Sequence, residues 1–302
     1  MNKICIALST YNGERYIKEQ LESILSQSYE NFIILVRDDN SNDKTLEILS
    51  SYDIKVIDEK KNLGIKKSFA FVMQYSFKNL DSDYLMFSDQ DDIWDANKVK
   101  TTYQKMQELE NIYGMDTPLL VHGDLTVVDE NLEVIASSFW KYQNIDPSKD
   151  SLNHLLLHNT VTGCTMMINR SLAEKIKNIP SEVIMHDWWI AMVASAFGKI
   201  AYIDESLMLY RQHGKNDTGA KHYGVRYFIK KVLTKPLFEK YIYQSRVFLK
   251  LYGHELDEYH KSMLEEFSSF DRLNKYHKLR ILFKYKIWKN GFMRNLGLIF
   301  FI

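Results

Sequence analysis

A chain of 302 residues, 45% hydrophobic and 26% charged, is long enough and ordinary enough to bury a sizeable globular core. It contains no apolar run of about 18 residues, which excludes a membrane-crossing helix. Its two cysteines, Cys5 and Cys164, lie in apolar surroundings and read as reduced core residues rather than a bridge. The formal net charge of zero conceals a division: residues 221–302 carry 17 Lys and Arg against 7 Asp and Glu, leaving 22 against 32 in residues 1–220.

In chain order, the first 125 residues alternate between two periods. Strands are expected at 3–8, 32–37, 54–58, 84–88 and 119–122, and helices near 14–27, 43–52, 65–78 and 95–111. The first strand leads straight into a polar turn, so no signal peptide is expected ahead of it. The first helix carries Ile17, Leu21, Ile24 and Leu25 on one face, and Asp43 suits the N-cap of the second. Such alternation builds βαβ units, hence an α/β fold with a mainly parallel sheet. Ligands then bind at the carboxyl ends of the strands. Three polar clusters fall there: Ser9-Thr10-Tyr11-Asn12-Gly13, Asp38-Asp39-Asn40-Ser41 and Asp89-Gln90-Asp91-Asp92.

The last cluster follows the apolar strand Tyr84-Leu85-Met86-Phe87-Ser88 directly. Three carboxylates within four residues repel one another, so stability alone does not gather them at a strand end. A bound divalent cation relieves that repulsion, and a hard cation such as Mg2+ takes oxygen ligands while leaving positions for phosphate. A solvated acidic turn is the plainer reading; the shared placement of the three clusters argues for the cation.

Beyond residue 125 the periods loosen. Residues 124–160 mix short strands and loops and end in a His-rich turn at His154 and His158. A buried strand is expected over 162–168, entered through Gly163, then helices near 171–177 and from Asp187, and a strand at 199–203. The run 214–222 has the composition of a mobile loop, and 223–302 reads as helices rich in Lys, Tyr, Phe and Leu.

Ser9-Thr10-Tyr11-Asn12-Gly13, Asp38-Asp39-Asn40-Ser41, Asp89-Gln90-Asp91-Asp92-Ile93-Trp94, His186-Asp187-Trp188-Trp189 and Tyr210-Arg211-Gln212-His213, in that order, resemble the family 2 glycosyltransferases of GT-A fold. The last three are similar in form to the bacterial rhamnosyltransferases of cell-wall and capsular polysaccharide. The resemblance covers about residues 1–215. It implies a GT-A domain there, with 1–125 as the nucleotide-sugar-binding half, 126–215 as the acceptor-binding half and 223–302 as a helical extension. The implied activity is transfer of a sugar from a nucleotide donor to a glycan or lipid-linked saccharide. L-Rhamnose from dTDP-rhamnose is the favoured donor, with a UDP-hexose or UDP-N-acetylhexosamine as the alternative.

The resemblance puts Thr10 or Ser9, Tyr11 and Asp39 around the base and ribose, with Asp38 as the second choice within its pair. Asp91 is the first ligand for Mn2+ or Mg2+, with Asp89 reaching the metal through water or binding the ribose. His213 adds an imidazole ligand or is a structural residue. Arg211 reaches the diphosphate or makes an ion pair. Asp187 is the base for the acceptor hydroxyl, its competing role being a helix N-cap. No second nucleophile is evident, so the transfer is expected to invert the anomeric centre. Trp94 closes the loop after the carboxylates; Phe139, Trp140 and Tyr142 pack in the core or face the acceptor. Lys60, Lys61 and Asn62 form a solvated turn or line the donor side.

Residues 273–302 hold seven basic and seven aromatic residues and no acid. That composition suits attachment to the anionic inner face of the membrane, which makes the expected location cytoplasmic and peripheral. No nucleic-acid motif accompanies the charge, and a solvated basic helical face is the plain alternative. Two other classes stand beside the transferase. A metal-dependent phosphohydrolase or nucleotidyltransferase leaves Tyr11 and Asp39 without a purpose; a nucleotide- or glycan-binding scaffold binds donor without turnover.

Overall fold

A computed structural model describes residues 3–57, 59–176, 178–214 and 238–302. The first quarter of the chain alternates as expected. Strands β1 (Ile4–Thr10), β2 (Phe32–Asp38), β3 (Lys55–Ile57) and β4 (Tyr84–Ser88) are separated by helices α1 (Ile17–Leu25), α2 (Thr45–Leu49) and α3 (Ile65–Asn79). These strands run parallel in the order β3-β2-β1-β4. The order reverses at β1, so the carboxyl ends of β1, β2 and β4 converge on one crevice. Asp43 accepts hydrogen bonds from Thr45 N and Glu14 N, both at 3.0 Å, one residue ahead of the helical cap Lys44.

The second half widens the sheet to nine strands. It adds β5 (Ile93–Trp94), α4 (Lys98–Tyr113), β6 (Leu119–Val128), β7 (Val134–Ala136), α5 (Phe139–Gln143), α6 (Leu152–Leu155), β8 (Met167–Asn169), α7 (Arg170–Ile176), α8 (His186–Phe197) and β9 (Lys199–Arg211). The order continues β4-β8-β6-β9-β5, with β7 on β6. The long pairings are parallel, whereas β8 runs antiparallel to both its neighbours over two or three residues. The result is an α/β fold with a mainly parallel, helix-flanked sheet.

Three elements differ most from their sequence reading, the first being β9, expected at 199–203, which continues to Arg211 as the partner of β6. Strand β6 continues to Val128, because register shifts after Gly123 and Asp124 let the ladder resume past the buried polar pair His122 and Asp124. Gly163–Thr165 form a 3-10 turn ahead of β8, held by Thr165 N and Thr165 Oγ1 donating to the Thr162 carbonyl at 3.0 and 2.7 Å.

Helix α8 is apolar nearly all round, the signature of a helix covered on every side. One side meets the sheet layer; α9 (Glu239–Tyr252) packs against another, and α10 (Glu258–Ser268), α11 (Lys275–Tyr285) and α12 (Phe292–Phe301) add side chains to the same core. Trp189, fully buried, meets Phe248 at 5.3 Å and Tyr252 at 6.1 Å between ring centroids. The described helices 238–302 therefore share a core with the sheet domain. Most of the run 214–222 and the first part of 223–302 lie outside the described residues.

The C-terminal end of α8 is fixed by Gly198, whose N–H donates to Ala194 O at 2.8 Å. A Cβ built there would lie 1.7 Å from the Pro118 carbonyl oxygen, and backbone cannot yield that distance. Gly198→Ala is expected to cost at least about 1–3 kcal/mol of stability. Urea unfolding checks it, and an unchanged midpoint would contradict the packing of α8 against the start of β6.

Candidate active site

The loop after β1 is built on glycine and left-handed asparagine. A Cβ on Gly13 would fall 2.4 Å from Gln90 Oε1, so a side chain there would displace the Gln90 amide from its place between the β1 and β4 loops. Gln90 laces them: Tyr11 N donates to its Oε1 at 2.8 Å and its Nε2 donates to the Tyr11 carbonyl at 3.0 Å. Asn12 has φ +49°, and its Oδ1 accepts from Asn42 N at 2.9 Å. Tyr11 is left 47% exposed at the crevice.

The structure corrects the expectation for Thr10. Its side chain is buried, and its hydroxyl donates to Asp38 Oδ1 at 2.9 Å, so it braces the strand ends rather than facing a ligand. Ser9 is likewise engaged, 2.6 Å from Ser68 Oγ. Asp38 also accepts from Ser41 N at 2.8 Å and Ser41 Oγ at 2.5 Å, which makes it a turn former. Asp39 Oδ1 takes the buried Arg37 guanidinium and Leu63 N, and Oδ2 takes Gly64 N at 2.7 Å. A carboxylate has about four acceptor sites, so one remains on Oδ2.

The acidic motif after β4 divides into two sets. Asp91 Oδ2 and His213 Nε2 pair at 2.6 Å, with the His213 ring stacked on Tyr16 at 4.9 Å. Inward of them, ligand atoms of Asp89, Asp92 and Cys164 lie within 4.8 Å of one another. Asp92 is fully buried; Arg211 N donates to its Oδ1 at 3.1 Å, and Oδ2 has no partner among the described residues. Burial, then the neighbouring carboxylates, push both Asp89 and Asp92 well above the usual carboxylate range.

Behind this set lies Lys98, which sequence reading missed. Its buried ammonium donates to the Cys164 carbonyl at 2.7 Å and to Met208 Sδ at 2.9 Å and sits 4.2 Å from the Trp94 ring centroid. Burial pulls its pKa down, against the attraction of Asp92 and Asp89. Trp94 thus has the structural part expected of it. The spacing Trp94 to Lys98, one helical turn beyond the carboxylates, was the available signal.

Arg211 is also corrected. Its guanidinium is buried and donates to the Asp91 carbonyl and the Glu130 carbonyl, each at 3.0 Å, and to Glu19 Oε2. It clamps the acidic loop from behind instead of reaching the crevice. A burial pattern, not residue type, separates these roles, and a single sequence does not display it.

Asp187 sits in the first turn of α8, two residues past the position a cap would take; Met185 is the N-cap. Burial pushes its carboxyl up to about 6, even though Trp188 N donates to Oδ1 at 2.6 Å and Gly163 N–H and Asn159 also hydrogen-bond to it. Gly163 permits this approach: a Cβ there would be 3.1 Å from His186 Nε2 and 3.5 Å from Asp187 Cβ. Asp187 and Asp89 line one cavity of about 470 Å³, together with Phe139, His158, Asn159 and Tyr210. Its far wall comes from the C-terminal helices, through Tyr241, Lys289, Arg294, Leu298 and Phe301. Trp140 and Tyr142 are core residues, and Lys60, Lys61 and Asn62 are exposed.

The donor set fits a hard divalent cation. One carboxylate oxygen meets an imidazole at Asp91 and His213, and Asp89 and Asp92 bring carboxylate oxygens together in a second group, where Asp92 Oδ2 has no partner among the described residues. The thiol of Cys164, pushed up by burial, suits a hard cation poorly, and Asp91 with His213 offers an oxygen and an imidazole nitrogen beside the inner carboxylates.

Residues 5–177, more than half of the chain, match the model of glycosyl transferase family 2. The chain belongs to that family. This glycosyltransferase is 28% identical over 229 residues to the dTDP-rhamnosyl transferase RfbG of Shigella flexneri, covering 70% of this chain and 74% of RfbG. It is 28% identical over 173 residues to WfgD of Escherichia coli, a UDP-Glc:alpha-D-GlcNAc-diphosphoundecaprenol beta-1,3-glucosyltransferase, covering 56% of this chain and 61% of WfgD. Its fold resembles S. aureus TarS 1–349 in complex with UDP-GlcNAc, at TM-score 0.59 and 17% identity over 94% of this chain and 80% of the other. It also resembles the mannosyltransferase PcManGT of Pyrobaculum calidifontis in complex with GDP-Man and Mn2+, at TM-score 0.52 and 14% identity over 94% and 84%.

A carboxyl whose folded pKa is raised stabilises the fold while protonated, and that contribution is lost as pH rises through the raised value. The cation substitutes for the proton. Added Mn2+ is therefore expected to raise the melting temperature more at about pH 8 than at about pH 5. Equal shifts at both would mean that the ion binds away from these carboxylates.

Proposed function

We propose that this family 2 glycosyltransferase is an inverting, metal-dependent enzyme that moves L-rhamnose from dTDP-rhamnose to a lipid-linked saccharide of a cell-surface polysaccharide. The observation that carries the reading is the sharing of one cavity by Asp187, a carboxyl titrating near 6, and Asp89, the first acid of the motif. On this reading the exposed Tyr11 packs on the nucleobase and the remaining Oδ2 site of Asp39 accepts the imide N–H. Asp91, His213 and Asp89 hold Mn2+ or Mg2+, which when bound neutralises charge on the departing diphosphate.

Asp187 supplies the base. The acceptor oxygen forms its bond to the anomeric carbon as the bond from that carbon to the diphosphate oxygen breaks, and the hydroxyl proton passes to the Asp187 carboxylate. Attack opposite the leaving group inverts the centre. Trp188 N–H orients the carboxylate toward the cavity it lines.

Similarity to RfbG supports rhamnose as the sugar. A UDP-hexose or UDP-N-acetylhexosamine donor is the second reading, supported by the similarity to WfgD. WfgD's lipid diphosphate acceptor also supports a lipid-linked one here, with the enzyme on the cytoplasmic face of the membrane through its basic C-terminal region. No helix among the described residues is long and apolar enough to cross a membrane.

Asp187→Asn is expected to lower kcat by about 10²–10⁴-fold with nucleotide affinity unchanged. A base must be ionised, so wild-type kcat should fall below pH about 6. Loss of nucleotide binding in the variant, or a rate flat through that limb, would remove Asp187 from the chemistry. For the donor site, titration of dTDP and UDP is expected to show tighter binding with Mn2+ than without. A donor screen read by product mass distinguishes a deoxyhexose increment from a hexose or N-acetylhexosamine one.

A further inference from the structure

We propose that α12 works on both its sides, its inner face walling the acceptor cavity while its outer face, with the exposed rings of α11, seats in the headgroup layer of an anionic bilayer. The proposal rests on the glycosyltransferase reading for the identity of the cavity. Its geometry stands apart from that reading.

Phe292, Leu296 and Phe300 follow one another at i, i+4 and i+8, and they are 75%, 43% and 75% exposed. Met293, on the same side, is 46% exposed. Arg294, Gly297, Leu298 and Phe301 occupy the other side and line the cavity that holds Asp187 and Asp89. Helix α11 extends the outer patch with Tyr276 and Phe283, 73% and 62% exposed. The two helices adjoin there, since Lys275 Nζ donates to the Phe300 carbonyl at 3.1 Å. Exposed aromatic rings in a contiguous group mark a docking surface rather than a solvated face.

Charge selects the occupant. Lys275 sits at Phe300, Lys278, Arg280 and Lys286 lie on or directly after α11, Lys284 is already bonded to Glu266, and residues 273–302 contain no acid. A second copy docked face to face would set this basic surface against itself. An anionic leaflet complements it, and aromatic and basic residues together favour the interface. Because the patch and the cavity wall belong to one helix of ten residues, docking brings the cavity to the membrane surface. A saccharide carried on a lipid then reaches Asp187 without leaving the bilayer.

The test is sedimentation of the full chain with phosphatidylcholine vesicles, with and without phosphatidylglycerol. Wild type should bind the anionic vesicles and release in high salt. The triple variant Phe292→Ser, Leu296→Ser, Phe300→Ser should bind at least about tenfold more weakly. Its Mn2+-dependent nucleotide binding should be unchanged, which also reports folding. Transfer should slow on a vesicle-embedded acceptor and persist on a water-soluble one. Wild type that ignores anionic vesicles, or a variant that binds them equally, overturns the proposal. So does wild-type self-association that the variant abolishes, because the patch would then belong to a second copy. Vesicle binding without any nucleotide binding would instead sink the transferase reading and leave the docking face standing.

Discussion

Asp89, Asp91 and Asp92 cannot all be ionised at the end of β4 unless positive charge stands beside them, and much of the structure answers that requirement. Part of the answer is internal. The Lys98 ammonium is held beneath the motif by the Cys164 carbonyl, Met208 Sδ and the Trp94 ring. Removing a lysine from water is costly, and burial alone would drive it neutral; the attraction of Asp92 and Asp89 opposes that. One ammonium does not balance three carboxylates plus Asp187. Burial first, and repulsion from the neighbouring carboxylates second, raise the pKa values of Asp89 and Asp92, the state that a divalent cation relieves.

The same constraint accounts for the arginines. Arg37 anchors Asp39 between the end of β2 and the start of α3, and Arg211 ties the acidic loop to Glu19 on α1 and the Glu130 carbonyl. Both guanidiniums are buried and use a planar, multi-donor head to join segments far apart in the chain. Loops that bear repelling charges would otherwise splay. Fixing them in advance spares the ordering cost when substrate arrives.

The parallel half of the fold was legible because its βαβ periods are local. The meeting of polar clusters at strand ends follows from that topology, whereas Asp91 and His213, which pair across 122 positions, were brought together beforehand only by the family resemblance. What sequence left obscure is burial. Thr10 and Arg211 stand in motifs that contact ligands by type, yet packing turns both inward. Lys98 escaped notice because a lysine in a helix usually solvates, and only the carboxylates above it give it a reason to be inside. The bulged continuation of β6 was hidden by His122, a polar residue whose burial pushes its pKa down to about 3. The competition at Asp187 between cap and base turned on two residues of helix register, which periodicity does not resolve.

The charge division of the chain gains a structural meaning from α8. The acidic half contributes Asp89, Asp91, Asp92 and Asp187; the basic half contributes the helices that cover α8 and the far wall of the cavity. Phe248 and Tyr252 enclose Trp189 on the helix that carries Asp187. Burial is the largest cause of the raised Asp187 pKa, and Tyr241, Leu298 and Phe301 wall the same cavity from the C-terminal side. On the proposed reading a base titrating near 6 is more effective than one at the ordinary carboxylate value, so the C-terminal helices tune the base as well as facing the acceptor.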